Sequence, residues 1–181
     1  QKRKVLFRIL EGNLRDLEAD FRQIFETNYA IMRAMREMQI PLPEALSAPA
    51  EFIQNTDLRR LIEGPDVDLE RLRKLAQEYA TWDFKPDGEA LTYIVGKRVG
   101  ALMAAWAAKP DDTAGLKRVE EVLAIMKRLD VGLDLWQSQN IYFSTGKAIC
   151  VQASKEWVRA FKSVGELLRV DPSVFLPSKP L

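Results

Sequence analysis

The stretch Asp112-Thr-Ala-Gly-Leu-Lys-Arg-Val-Glu-Glu-Val-Leu-Ala-Ile-Met-Lys-Arg-Leu-Asp-Val131 decides the fold class. Leu116, Val119, Leu123, Met126 and Leu129 recur at three- and four-residue intervals, so a helix gathers them on one face. Lys117, Arg118, Glu120, Glu121 and Lys127 then fill the opposite face, whereas a strand would scatter both sets. Asp112 stands just before the stripe, where a side-chain oxygen can accept from the unpaired N–H groups of a first helical turn.

The same period runs outward in both directions. Upstream, Leu14, Leu17, Phe21, Ile24, Ile31, Met35 and Met38 share a stripe that Asn28 completes; downstream, Trp157, Phe161, Val164 and Leu168 form another. Asn13, Ser47, Asp68, Asp87 and Asp134 are further candidate caps. Breaks fall at Pro41, Pro43 and Pro49, at Gly64-Pro65, at Pro86-Asp87-Gly88 and at Lys109-Pro110, and no run alternates with a period of two. The chain therefore reads as all-α, a helical bundle or an array of helical hairpins with about seven helices. Expected spans are about 13–39, 48–63, 68–81, 87–108, 113–130, 134–152 and 154–169, with a short leading helix over 2–10. Residues 1–170 form one domain in this reading, and 171–181, with three prolines, an extended tail.

Three segments echo one another: Met38-Gln39-Ile40, Trp82-Asp83-Phe84 and Leu129-Asp130-Val131 each end a helix as apolar, polar, apolar, followed by a turn into the next helix. Their spacing lies near that of helical-hairpin repeats, and it is equally what any helical hairpin makes at its joint. The span 87–108 carries a ridge of small residues, Gly96, Gly100 and Ala104, and is apolar nearly all round from Val99, as a buried central helix would be.

Composition excludes several functions. With 181 residues, 27 Lys and Arg against 26 Asp and Glu, the chain carries a net charge of +1, which gives no overall drive toward nucleic acid. There is no histidine, so neither a Ser-His-Asp nor a Cys-His nucleophile system nor a His-ligated zinc can be built from this chain. The single cysteine, Cys150, removes intrachain disulfides and points to a reducing, cytoplasmic setting. The longest charge-free apolar stretch, Val99–Ala108, is about half a bilayer span, and no signal-peptide core follows Lys2-Arg3-Lys4. Lacking an initial Met, the chain reads as an excised or processed form. No phosphate loop or metal spacing is present, so neither cofactor nor metal is expected. The carboxylate pairs Asp111-Asp112, Glu120-Glu121 and Asp130/Asp134 suit caps and solvated faces better than a hydrolase pair. Met32, Met35 and Met38 form a row that suits either core packing or an adaptable surface.

One segment combines features that core and surface both avoid. Leu135–Gly146 runs twelve residues without a charge yet is rich in amides, hydroxyls and rings. Trp136, Gln139, Asn140 and Phe143 fall at i, i+3, i+4 and i+7, and Tyr142 lies beside them. Ring faces that pack on sugar C–H groups, next to amides that bond hydroxyls, make a carbohydrate surface. A helix whose amides cap neighbouring backbone, or meet another domain, has the same composition. Trp136, Gln139, Asn140 and Tyr142 are the candidate contact residues.

Several motifs together carry a resemblance. Gln1–Glu11, Met38–Leu46, Ala50–Ile53 and Asp134–Phe143, in that order and continuing to Trp157 and Leu167-Leu168, resemble part of a large bacterial domain of unknown function. That domain follows the catalytic domains of family 57 glycoside hydrolases, the α-amylase- and α-mannosidase-like enzymes. The resemblance implies that the catalytic carboxylates lie in an upstream distorted β/α barrel and that no residue of this chain is catalytic. It implies a helical domain that completes an α-glucan hydrolase or transferase, with the barrel of the same polypeptide as partner and Trp136–Phe143 at the interface or cleft rim. An α-glucan is the expected ligand, and neither nucleic acid nor membrane is a partner. A free-standing helical adaptor that binds a protein through its Met and aromatic faces is the alternative.

Overall fold

The computed structural model describes residues 2–148 and 154–175. Among them are seven α-helices and no strand: α1 (Lys2–Glu37), α2 (Glu44–Glu63), α3 (Leu69–Trp82), α4 (Gly88–Ala107), α5 (Thr113–Arg128), α6 (Trp136–Ala148) and α7 (Lys155–Leu167). The all-α reading holds. The expected helical ends at 149–152 and the tail beyond Phe175 lie outside the described residues.

Aspartates start several of these helices as expected. Asp68 accepts from Arg71 N, Asp112 from Ala114 N and Gly115 N, and Asp134 from Trp136 N; Ser154 does the same for Trp157 N. Asp87 makes no side-chain cap; its own N–H donates to Asn55 Oδ1 at 2.7 Å. Two expected starts differ. Asn13 does not begin a helix, because 2–10 and 13–39 are one continuous element. Gly12 and Asn13 weaken a helix by at most about 1 kcal/mol each, and no proline intervenes to break it. Ser47 lies within α2, which begins three residues earlier, where Leu46 N and Ser47 N both donate to the Pro43 carbonyl.

The echoed segments are helix-ending joints of one kind. Gln39, Asp83 and Asp130 have φ of 58°, 59° and 54°, in the left-handed region. The following N–H reaches back five residues in each case: Ile40 to Met35 O at 2.8 Å, Phe84 to Tyr79 O at 3.2 Å, Val131 to Met126 O at 3.1 Å. This is the Schellman arrangement, which satisfies the last helical carbonyls and folds the second apolar residue back onto the helix. A fourth joint, Leu168-Arg169-Val170, has φ 59° at Arg169 and a 2.9 Å bond from Val170 N to Gly165 O.

After α1 the helices form three hairpins, α2/α3, α4/α5 and α6/α7, and each ends at such a joint. The first helices pack in the order α2, α4, α6 and the second in the order α3, α5, α7, while α1 lies along α2. The result is a short stacked array in which each hairpin covers the one before, as in helical-repeat proteins. The turns of the first two hairpins are also held from the hairpin that follows. Arg98 of α4 donates to the carbonyls of Ile62 (2.8 Å) and Gly64, and Arg118 of α5 to Asp66 and to Val67 O (2.6 Å). Trp157 of α7 donates to Pro110 O at 2.7 Å.

The main core runs through α2 to α7 and includes Leu58, Leu72, Val99, Trp106, Met126, Tyr142 and Phe161. A smaller core, Phe25, Met32, Ala50, Ile53 and Trp82, joins α1 to α2 and α3. Glu78 links the same elements by accepting from Tyr29 Oη (3.0 Å) and Trp82 Nε1 (2.8 Å).

Contrary to the all-round apolar reading, α4 is not buried on every face. Leu91, Val95, Val99, Met103 and Trp106 are buried, but Tyr93, Ala101, Ala104 and Ala105 are exposed, since alanine methyls cost little in water. Of the small-residue ridge, Gly96 and Gly100 do face a neighbour: a methyl there would lie 3.4 Å from Asp134 O and 3.2 Å from Gln137 Oε1. The start of the tail is not extended. Pro172–Val174 is a 3-10 turn whose first N–H groups Asp171 helps to cap, and it brings Phe175 edge-on to the Tyr142 ring.

Two outcomes test this description. Gln39→Gly and Arg169→Gly should each raise stability by roughly 0.5–1 kcal/mol, because glycine removes the steric cost of the left-handed region at an exposed site. A loss of stability in chemical denaturation would place these residues in some other conformation. The second outcome concerns acid. Hydrogen bonds from Arg60 hold the Glu18 carboxyl below its usual range; burial opposes them, and Arg22 adds to them. The stabilisation is therefore complete above the ordinary glutamate value of about 4.3 and is lost as pH falls below it. Melting of Glu18→Gln should depend less steeply on pH between about 5 and 3 than melting of the parent, and equal slopes would count against the pair.

Candidate functional site

Among the described residues no three His, Cys, Asp or Glu side chains converge as a metal site. Of the carboxylate pairs, Glu120 and Glu121 line the groove between α5 and α7 together with Glu156, and the others do not share a groove with them. Asp112 caps α5, Asp130 occupies a joint, Asp134 caps α6, and Glu121 is bonded by Arg73. In the groove between α5 and α7, Lys117 pairs with Glu156 at 2.9 Å and holds that carboxyl below its usual range, the reverse of what a general acid needs.

Helix α6, uncharged up to Gly146, divides its polar side chains between two directions. Inward, Tyr142 is fully buried; its hydroxyl donates to Phe161 O at 2.8 Å and its ring stacks on Phe161 with centroids 4.4 Å apart. Burial raises its pKa, so the hydroxyl remains a donor. Gly165 makes room for this hydroxyl, because a methyl there would come within 2.6 Å of it. Gln139 is half-buried and donates to Leu168 O at 2.8 Å, closing the end of α7. Ser138 and Thr145 are also buried.

Outward, Trp136 is 72% exposed and Asn140 is exposed. Phe143 is on the same side, and the Lys147 ammonium lies 4.3 Å from its ring centroid. The four candidate residues therefore do not share one surface: Trp136 and Asn140 face solvent, while Gln139 and Tyr142 are turned to α7. The reading in which polar groups of the segment cap neighbouring backbone holds on the inner face, and the outer face is exposed. The period of the helix had placed Gln139 with Asn140, but a residue on the flank follows the available carbonyl.

A residue not singled out from the sequence stands near this face. Tyr93 of α4 is 73% exposed, and its neighbour Thr92 approaches Gly132 just ahead of α6. Reading α4 as buried all round hid it; Tyr93 lies before the apolar run, with Lys97 one turn on, and that polar flank was the available signal. The exposed residues at the start of α6 are Trp136, Gln137 and Asn140, with Gly100 of α4 against Gln137 between the helices.

The Met row does not form a surface, since Met32 is fully buried, Met35 half-buried and Met38 exposed. No helix of the described residues is long and apolar enough to cross a membrane. Compared with known proteins, the chain matches no family model, no curated sequence and no solved structure.

The two faces of α6 should separate in a stability experiment. Trp136→Ala should change stability by no more than about 0.5 kcal/mol, as for other exposed positions. Gly165→Ala should cost about 1–3 kcal/mol through overpacking. Tyr142→Phe, which loses one buried hydrogen bond, should cost about 1 kcal/mol and reduce the penalty of Gly165→Ala, because the clashing oxygen is gone. Strict additivity in the double variant would mean that Gly165 does not face that hydroxyl.

Proposed function

We propose that this chain is the non-catalytic helical domain of a family-57-like carbohydrate-active enzyme of bacterial type, acting on an α-glucan in the cytoplasm. It supports the catalytic barrel of the same polypeptide and presents the outer face of α6 to the cleft. The observation that carries the reading is the Trp136–Asn140 strip: an indole and amides exposed together, without a charge, on a helix whose Gln139 and Tyr142 are already bonded to backbone carbonyls. The ordered motifs that resemble the domain behind family 57 barrels support it independently. In this reading Trp136 stacks on a glucosyl face, Asn140 and Gln137 bond hydroxyls, and Gln139 and Tyr142 hold the helix in place. No group of the chain performs bond cleavage.

The test is affinity electrophoresis of the chain through gels containing amylose or glycogen. Retardation is expected, weakened at least about tenfold in Trp136→Ala, the loss of one well-packed ring contact. The reading frame upstream of Gln1 should encode a barrel with a catalytic Glu and Asp. No retardation by either glucan, together with a start codon near Gln1, would overturn the proposal in favour of the adaptor.

A further inference from the structure

We infer that α1 is a hinged strap, which lifts as one unit from the body α2–α7 about residues 38–43 while the three hairpins stay folded. The inference is independent of the carbohydrate reading. It rests on the joint, about 54 Å along the helix from Lys2 at 1.5 Å per residue, and on the seam that α1 makes with α2.

Of the four left-handed joints, the first is not anchored by its own side chains. The apolar residue ahead of each left-handed one is Met38, Trp82, Leu129 or Leu168; the last three are buried, whereas Met38 is 68% exposed. On the other side Val131 is buried and Phe84 and Val170 are half-buried, whereas Ile40 is exposed. The steric cost at Gln39 is therefore offset by no burial at the joint. In the segment that follows, Pro41-Leu42-Pro43, neither proline has an N–H with which to tie it to α1 or α2. A chain direction set by so little is where a hinge belongs.

The helix ahead of the hinge grips lightly and outside the main core. Of its 36 residues only Phe25 and Met32 are buried, and both belong to the smaller core with Ala50, Ile53 and Trp82. The main core draws no side chain from α1, so it persists when α1 leaves. Two ion pairs, Arg22–Asp57 and Arg60–Glu18, cross the seam at partly exposed positions, where such pairs contribute little. Glu78 is the catch. One of its carboxylate oxygens accepts from Tyr29 Oη of α1 at 3.0 Å, and the other from Trp82 Nε1 of the body at 2.8 Å. Lifting α1 breaks the first bond, keeps the second and bares Ala50 and Ile53 of α2.

The experiment is thiol labelling of the whole chain by N-ethylmaleimide under native conditions, in variants where Cys150→Ser removes the native thiol. Ala50→Cys places a thiol beneath α1 and Val122→Cys one in the main core; both parent residues are fully buried. The thiol at position 50 should react at least about 100-fold faster than that at 122, because it waits on the lifting of α1 and not on unfolding of the body. Val164→Ala, a cavity in the main core, should speed labelling at 122 about tenfold and leave labelling at 50 unchanged, since closed and lifted forms share that core. Tyr29→Phe, which removes the bond to the catch, should speed labelling at 50 about tenfold, the equivalent of one hydrogen bond to a charged group. Equal rates at the two positions would overturn the inference. So would a Val164→Ala chain in which both rates rise together, because α1 and the body would then open as a single cooperative unit. Glucan retardation, which reads α6, is moved by neither outcome.

Discussion

Each hairpin of this fold leaves one face uncovered until another is laid against it, and the joints that turn the chain are what allow that covering. Four times a helix ends with a left-handed residue between two apolar ones, and four times the N–H of the second apolar residue bonds back to the helix it has just left. The direction of the next helix is set there, at a cost of about 1 kcal/mol for each non-glycine residue in that conformation. Burial of the joint's own apolar residues offsets it: Leu129, Val131 and Leu168 are buried in the main core. Were the joints flexible, the α2–α4–α6 and α3–α5–α7 layers would have no fixed register.

Locking of the turns follows from the same geometry. A turn that closes one hairpin carries carbonyls with acceptor capacity to spare, and a donor from the next hairpin reaches them. Arg98 and Arg118 do so for residues 62–67, and Trp157 does so for Pro110. Arginine suits the first site because its fork can serve several carbonyls at once. Tryptophan suits the second because Pro110 O already accepts from Trp106, and an indole adds one donor with a large buried ring. Successive hairpins are thus linked by polar contacts as well as apolar ones, which couples their stabilities.

Much of this was legible in the residues and some was not, for identifiable reasons. Period and caps located the helices of 68–130 to within a residue or two, because Asp68 and Asp112 are followed by strong stripes. The apolar–polar–apolar echo was visible at three joints, but the fourth, at Arg169, was missed because a cationic residue in the left-handed region has no sequence signal comparable to glycine or asparagine. The unbroken α1 was misjudged at Asn13, since a good cap residue is also tolerated inside a helix when no alternative conformation competes. On α4 the alanines misled: they count as apolar in a pattern, yet they are indifferent to exposure. For α6 the composition correctly marked an unusual segment, but only coordinates could divide it, because one angular step separates Gln139, bound to Leu168 O, from exposed Asn140.

That division bears on why no charge appears on either face of α6 before Lys147. The inner face is accounted for by stability: Tyr142 and Gln139 each find a backbone carbonyl, and a charged residue in either place would be buried without a partner. The outer face has no such reason. Trp136, Gln137, Asn140 and Ser144 are exposed, and solvated helices of this chain, such as the outer side of α5, carry Lys and Glu at comparable positions. Solubility favours charges there, and an exposed indole gains nothing from water. On the function proposed above, an uncharged outer strip suits a neutral partner whose faces pack on rings and whose edges accept and donate hydrogen bonds. A protein surface rich in ion pairs fits that description poorly. A sugar polymer, or the rim of a cleft built to hold one, fits it well.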